Sequence, residues 1–302
     1  MTSSTTTSVP EEALASRVGT CPVCCRRAEN RRTIVRLQSQ PVVELVECPF
    51  CAAQSADRLP LPEFLTALYD PTFYRSSLVS GPGLSARCAR SILRTARFDS
   101  NRPVSILDYG GSDGTLSRAL RRELLANGHR GDVRSTVVDL HPRDDTPHQR
   151  FIDPVRFEKS SEHHDLLLAS AVLEHLANPA ATIRALLDHA APDSYFYART
   201  PWDSPLQRVV PGYRVKWPRH LHDMGPDFWA RFMTVFGVSG ELLVSRPSIV
   251  ETSFRDSPVR TLAAHLSKIP ARIESSLFRD KSSSRERVWK LVGGWEVLIR
   301  LA

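Results

Sequence analysis

The feature that most constrains the fold lies at residues 103–128. An apolar run, PVSILDYG, passes through GSDG straight into TLSRALRRELLANG, whose apolar residues recur at helical spacing and which closes on Gly128. The alternation then continues. VRSTVVDL and HDLLLAS read as strands, PAATIRALLDHAAP as a helix ended by proline, and SYFYARTP as a further strand. Much later, SGELLVSR and WEVLIRLA supply two more. Short, nearly all-apolar strands alternating with helices predict a parallel sheet covered on both faces. The expected class is therefore α/β, doubly wound.

The turn at the end of the first strand decides what such a sheet could hold. A dinucleotide fingerprint needs glycines at its first, third and sixth positions. From Gly110 those positions hold Ser112 and Thr115, and from Gly111 they hold Asp113 and Leu116, so the fingerprint fails. What remains is Asp108, then Gly110, then Gly114. A carboxylate near a diphosphate costs on the order of one to several kcal/mol, whereas beside a cation it is favourable. The ligand should carry an ammonium, tolerate close approach of the backbone, and have a ribose.

VSILDYGGSDGTL resembles the first motif of class I S-adenosylmethionine-dependent methyltransferases, an acid followed by glycines at alternate positions. Asp108, Gly110 and Gly114 match it, while Ser112 stands where glycine is commonest. The resemblance implies a Rossmann-like, mostly parallel sheet of seven strands with S-adenosylmethionine at the turn. Asp139 ends the next strand, 25 residues beyond Gly114, where an acid can take both ribose hydroxyls. Glu174, His175 and Leu176 match the family's common LEHL signature, and Asp153 is the candidate to meet the adenine amine. Each has a plainer reading: Asp139 as a turn or capping acid, Glu174 as a dipole partner at a helix start, His175 as a packing residue.

Six cysteines occur, and four form two knuckles, CPVC (Cys21, Cys24) and CPFC (Cys48, Cys51), with 23 residues between them. Paired C-x-x-C motifs predict one tetrahedral zinc ion, because each knuckle offers two thiolates. Disulfides are the alternative, disfavoured in a reducing compartment. Four protein ligands leave the metal no open position, so the expected role is structural. Cys25 could replace Cys24 as a ligand, and Cys88 reads as a small buried hydrophobe.

The organisation expected is a disordered tail (1–16), a zinc-ribbon module (17–58), a helical bridge (59–100) and a cofactor domain (101–302), with the acceptor pocket drawn from about 200–290. This order, with LYDPTFYR in the bridge and VGGWEVLIRL at the end, resembles zinc-ribbon methyltransferases that modify small molecules, sugars, natural products and glycans. The resemblance implies a small-molecule acceptor.

Charge and composition limit the rivals. The chain has 41% hydrophobic residues and no apolar run long enough to span a membrane, and its polar start is no secretory signal, so a cytoplasmic protein is expected. Net charge is +7, carried by 35 arginines against 5 lysines, with no run of five like charges. An RNA methyltransferase with zinc knuckles is the first rival. The absence of an N/D-P-P-Y/F motif after the fourth strand argues against nucleic acid as acceptor, as do knuckles poor in aromatics apart from Phe50. A non-catalytic cofactor-binding protein is the second.

For catalysis, GYRVKWPRHLHDM (residues 212–224) gathers Tyr213, His220, His222 and Asp223. In-line methyl transfer needs a positioned nucleophile relieved of its proton, and histidine suits a general base. His220 or His222 is the expected base, His220 preferred for its family-like RHL context, with Asp223 orienting either ring. In an extended stretch the two histidines would share a side.

Overall fold

The computed structural model describes residues 9–16, 19–27, 31–36, 42–69, 82–202, 217–248 and 294–302, together with isolated residues between 258 and 273. Tyr213 lies outside the described residues. The N-terminal part builds an antiparallel ribbon of β1 (Arg32–Arg36), β2 (Glu44–Glu47) and β3 (Gln54–Ala56), with an irregularity between Thr33 and Val35. Helices α1 (Pro62–Leu68) and α2 (Pro82–Leu93) follow. Pro62 opens α1 because its missing N–H is one no helix partner would have used.

The alternation read from the sequence then appears as β4 (Val104–Tyr109), α3 (Thr115–Ala126), β5 (Val133–Val138), β6 (Gln149–Ile152), α4 (Pro154–Glu158), β7 (His164–Ser170), α5 (Pro179–Asp188) and β8 (Ala190–Thr200). After β9 (His222–Asp223) come α6 (Pro226–Phe236), β10 (Gly240–Pro247) and β11 (Trp295–Leu301). The main sheet has seven strands in the order β10-β11-β8-β7-β4-β5-β6. Its strands are parallel from β8 to β6, and β11 runs antiparallel between β8 and β10. Successive residues of one strand serve opposite layers. Leu107 and Leu167 pack with Ile183, Leu186, Phe228 and Phe232 on one face. Ile106, Leu166 and Leu168 pack with Ala89, Ile92, Leu120 and Leu124 on the other. Each fully buried leucine or isoleucine contributes about 1.5–3 kcal/mol, which is why both faces must be covered.

Three features of the described residues bear on the organisation. Residues 9–16 are not a loose tail: Val9 and Leu14 are buried against Val43, Leu59, Leu65 and Leu221, and Leu14 bridges to Pro60. The N-terminal ribbon does not close at residue 58 either. Its fourth strand is β9, where Ser55 pairs with His222 and Gln54 with Asp223. Finally, Cys21, Cys24, Cys48 and Cys51 belong to the same apolar cluster as Met224, Phe228 and Phe232, so ribbon and main sheet share one core.

Candidate active site

Strand order reverses between β4 and β7, whose neighbours continue in opposite directions, and such a reversal opens a crevice at the carboxyl ends of the strands. The turn after β4 lies there. Gly110, Ser112 and Gly114 have φ of +68°, +52° and +69°. Glycine adopts this conformation freely, and at Gly110 it also lets the backbone press against Val172, into which a β-carbon would run. Across the crevice Ala171 also has a positive φ, +59°. Left-handed non-glycine residues such as Ser112 and Ala171 cost on the order of 1–3 kcal/mol and collect at functional sites.

The expected cofactor residues gather around this turn. Asp108 is fully buried and accepts a hydrogen bond from the Ser117 N–H (3.3 Å) at the start of α3. Burial pushes its carboxyl up to about 6, Ser117 holds it down in part, and the charges of Asp139 and Asp113 push it further up. Asp108, Asp113 and Asp139 therefore gather negative charge at the turn, with Arg118 paired to Asp113 (3.4 Å), and the surplus of carboxylates fits a cationic ligand. Asp139 accepts from the Ser112 N–H (2.9 Å) through Oδ2 and from the His141 N–H (3.1 Å) through Oδ1. The two acceptances tie the end of β5 to the turn. Leu140, beside it, is an exposed apolar side chain. Asp153 stands at the end of the next strand and caps α4, accepting from the Arg156 N–H (2.8 Å). A residue the sequence reading missed holds the turn from below: the Gln149 amide donates to the Gly114 carbonyl and to Ser117 Oγ, both at 3.0 Å.

The cysteine knuckles are near copies of each other. The N–H of Cys25 returns to the Cys21 carbonyl and that of Ala52 to the Cys48 carbonyl, each at 2.8 Å, and Cys25 and Ala52 have φ of +59° and +61°. This turn faces Cys25 to solvent and settles its alternative with Cys24: the converging set is Cys21, Cys24, Cys48 and Cys51, all buried. Their sulfurs stand 3.7 Å (Cys21–Cys51) and 3.8 Å (Cys24–Cys48) apart. Four thiolates about 2.3 Å from one tetrahedral zinc stand about 3.8 Å from one another, so the set fits a structural zinc ion.

A second cluster lies beside Val172. The 3-10 turn Leu173–His175 after β7 buries Glu174 and brings His175 against His220, with ring centroids 5.0 Å apart. His175 Nδ1 is 2.6 Å from the Arg219 carbonyl and 2.9 Å from the Tyr69 hydroxyl, which itself donates to that carbonyl at 2.8 Å. Its Nε2 lies 3.7 Å from Glu174 Oε1. The Leu221 N–H donates to the Glu174 carbonyl at 2.8 Å, so residues 219–222 run alongside 174–176.

The two candidate bases thus part company. His222 is buried, its Nε2 donating to the Leu176 carbonyl (2.8 Å) and its Nδ1 bonded to Ser55 Oγ (2.9 Å). A carbonyl only accepts, so Nε2 carries the hydrogen and the Ser55 hydroxyl occupies the remaining lone pair. Burial holds this imidazole down at about 4. His220 instead faces His175 and Glu174. Asp223 is buried in β9 opposite Gln54. Tyr69, 106 residues from His175, was legible only as part of the helical bridge.

Residues 83–237 match the family model described as a methyltransferase domain. No curated protein matches the sequence. Solved structures with a similar chain trace include the plantazolicin methyltransferase BpumL in complex with SAH, 15% identical, covering 78% of this chain and 92% of that one, with a TM-score of 0.45. The CurJ carbon methyltransferase is 10% identical, covering 79% and 61%, with a TM-score of 0.45. Coclaurine N-methyltransferase bound to N-methylheliamine and SAH is 12% identical, covering 72% and 70%, with a TM-score of 0.42. Among the described residues no helix is long and apolar enough to cross a membrane.

Proposed function

Since the chain belongs to the methyltransferase-domain family and is a class I S-adenosylmethionine-dependent methyltransferase, we propose that it methylates a small-molecule acceptor held between the turn after β4 and the Glu174–His175–His220 cluster. One observation carries this reading: Gly110 packs on Val172, two residues before Glu174, so the turn and the cluster share one crevice. S-adenosylmethionine supplies the methyl group. Asp139 uses one acceptance on each oxygen for the backbone, and a carboxylate has about four, so capacity remains for ribose hydroxyls. Asp108 places negative charge under the methionine end, and the exposed Leu140 offers an apolar face beside the ribose acid. Asp153 stands one strand further on, with one oxygen given to its helix cap, and contributes less.

Of the two histidines, His220 is the one that meets the acceptor and assists loss of its proton. His222 fastens β9 to the ribbon and to Leu176. Zinc at the four cysteines holds the ribbon against α6, where Arg231 donates to the Pro49 and Phe50 carbonyls at 2.9 and 3.0 Å. A small acceptor is favoured because His220 is half-buried in the seam between ribbon and sheet, next to the fully buried Leu221.

The test is transfer from methyl-labelled S-adenosylmethionine to a panel of small hydroxyl- and amine-bearing molecules, with cofactor binding measured separately by thermal shift. Asp139→Ala is expected to remove most of the shift. His220→Ala should keep it and lose about 10²–10⁴-fold in single-turnover rate. Stabilisation by NADH and not by S-adenosylmethionine, or full turnover in His220→Ala, would overturn the corresponding part.

A further inference from the structure

We infer that Glu174, His175 and His220 form a divalent-cation site, separate from the four cysteines, that receives a hydroxyl oxygen of the acceptor. The inference rests on the reading that the acceptor enters this crevice. The hydrogen bonding of His175 is the starting point. Its Nδ1 lies 2.6 Å from the Arg219 carbonyl, an atom that can only accept, and the Tyr69 hydroxyl already spends its own hydrogen on that carbonyl. Nδ1 therefore carries the ring hydrogen, and in the neutral imidazole Nε2 presents a bare lone pair. That lone pair faces Glu174 Oε1 at 3.7 Å, with Glu174 only 2% exposed. The distance exceeds the roughly 3.2 Å limit of an N–H···O hydrogen bond. The bare imidazole nitrogen and the buried carboxylate thus offer two ligand atoms to one place.

The third ligand completes the set. One ligand atom each from Glu174, His175 and His220 lies within 4.8 Å of the others. Nitrogen and oxygen ligands about 2.1 Å from one ion stand roughly 3–3.5 Å apart, so closing the set takes small side-chain rotations. Metal-ligating histidines habitually donate their other ring N–H to a carbonyl, which fixes the tautomer, and Arg219 with Tyr69 does this for His175. Two imidazoles and one carboxylate suit a first-row divalent metal better than calcium or magnesium. Unlike the cysteine site, three protein ligands leave positions open. An acceptor hydroxyl bound there would become more acidic and lose its proton to water, so that His220 assists that loss as a ligand of the ion and not as the base. Its oxygen then bonds to the methyl carbon, and the carbon–sulfur bond breaks with its electron pair remaining on sulfur. The acceptor class is thus a hydroxyl-bearing small molecule.

Manganese(II) separates this site from the zinc site, because thiolates bind it poorly. Titrating the zinc-loaded full chain with Mn²⁺, and following free Mn²⁺ by electron paramagnetic resonance, should show about one site per chain. Glu174→Gln and His220→Ala should weaken it at least tenfold, and Tyr69→Phe about tenfold as an outer partner. Cys25→Ser should leave it unchanged. A thermal melt with S-adenosylmethionine verifies that each variant is folded. If Glu174→Gln fails to fold, His220→Ala and Tyr69→Phe carry the comparison. No Mn²⁺ bound, with total zinc remaining at one per chain in excess Zn²⁺, overturns the inference even if methyl transfer is observed. Metal bound in this pattern without transfer to any small molecule upholds the cation site and sinks the reading of the acceptor.

Discussion

Ser112 shows how one side chain can stand where the family pattern has none. Its φ of +52° is the conformation glycine adopts without steric cost, and its N–H is fastened to Asp139 Oδ2 at 2.9 Å. The backbone path is therefore held by the carboxylate of the neighbouring strand despite the strain. Ser112→Gly keeps that N–H and removes the β-carbon, at the cost of a more flexible unfolded chain. The expected net gain is about 0.5–1 kcal/mol, read as a rise of a few degrees in Tm, with affinity for S-adenosylmethionine within about twofold of wild type. A fall in Tm would mean that the serine side chain itself supports the turn. The same residue marks how far sequence could reach here. The departure from glycine was visible in the sequence, but not that the chain keeps the left-handed turn there and pins it through Asp139.

At the scale of elements, His164 opens β7 and locks it to β4, its Nδ1 bonded to Ser105 Oγ at 2.7 Å. Burial holds this imidazole down at about 4 from an ordinary 6.5, against Glu162 and Asp165, which favour its charge, and with His189 and Arg150, which oppose it. Between those values the unfolded chain binds more protons than the folded one. The stabilisation is complete above about pH 6.5 and is lost as pH falls toward 4, a swing of about 3 kcal/mol. Asp108 acts with the opposite sign: its carboxyl, raised to about 6, makes the folded state less stable as pH rises from about 4 to 6. His164→Asn should therefore change the slope of unfolding free energy against pH near pH 5 by about 1.4 kcal/mol per pH unit, measured by denaturant titration. An unchanged slope would mean that His164 is charged in the folded protein. From β4 to β8 the long elements were legible because each carries one clear period between turn residues. The four-residue β6 was too short for that, and α6 is apolar on nearly every side, with Phe228, Trp229 and Phe232 all buried. Strand β9 and Tyr69 owe their places to partners 167 and 106 residues away, through His222–Ser55 and Tyr69–His175, and no local pattern records such a distance.

At the scale of the whole molecule, the zinc ribbon and the crevice are joined through one short segment. β9 completes the ribbon beside β3, and the residue two positions before His222 is His220. The ribbon's cysteines pack in the same core as Phe228 and Phe232 of α6, the helix that follows β9 directly. The turn after β4, by contrast, is held by β5, β6 and α3, through Asp139, Gln149 and Ser117, none of them in contact with the ribbon in those hydrogen bonds. Loss of zinc should therefore separate two functions that a uniform destabilisation would lose together. Cys48→Ser, which removes one of four ligands, is expected to cut methyl transfer by tenfold or more while changing affinity for S-adenosylhomocysteine by less than about threefold. Binding is read by calorimetry and turnover with the acceptor saturating, so that the two losses are measured independently. His222→Gln should produce a milder version of the same split with zinc still bound, because it loosens β9 from Ser55 without touching a sulfur. Equal losses of cofactor affinity and turnover in Cys48→Ser would show that the ribbon supports the whole fold evenly. A loss confined to turnover would place the ribbon's influence in the segment that leads into β9 and carries His220.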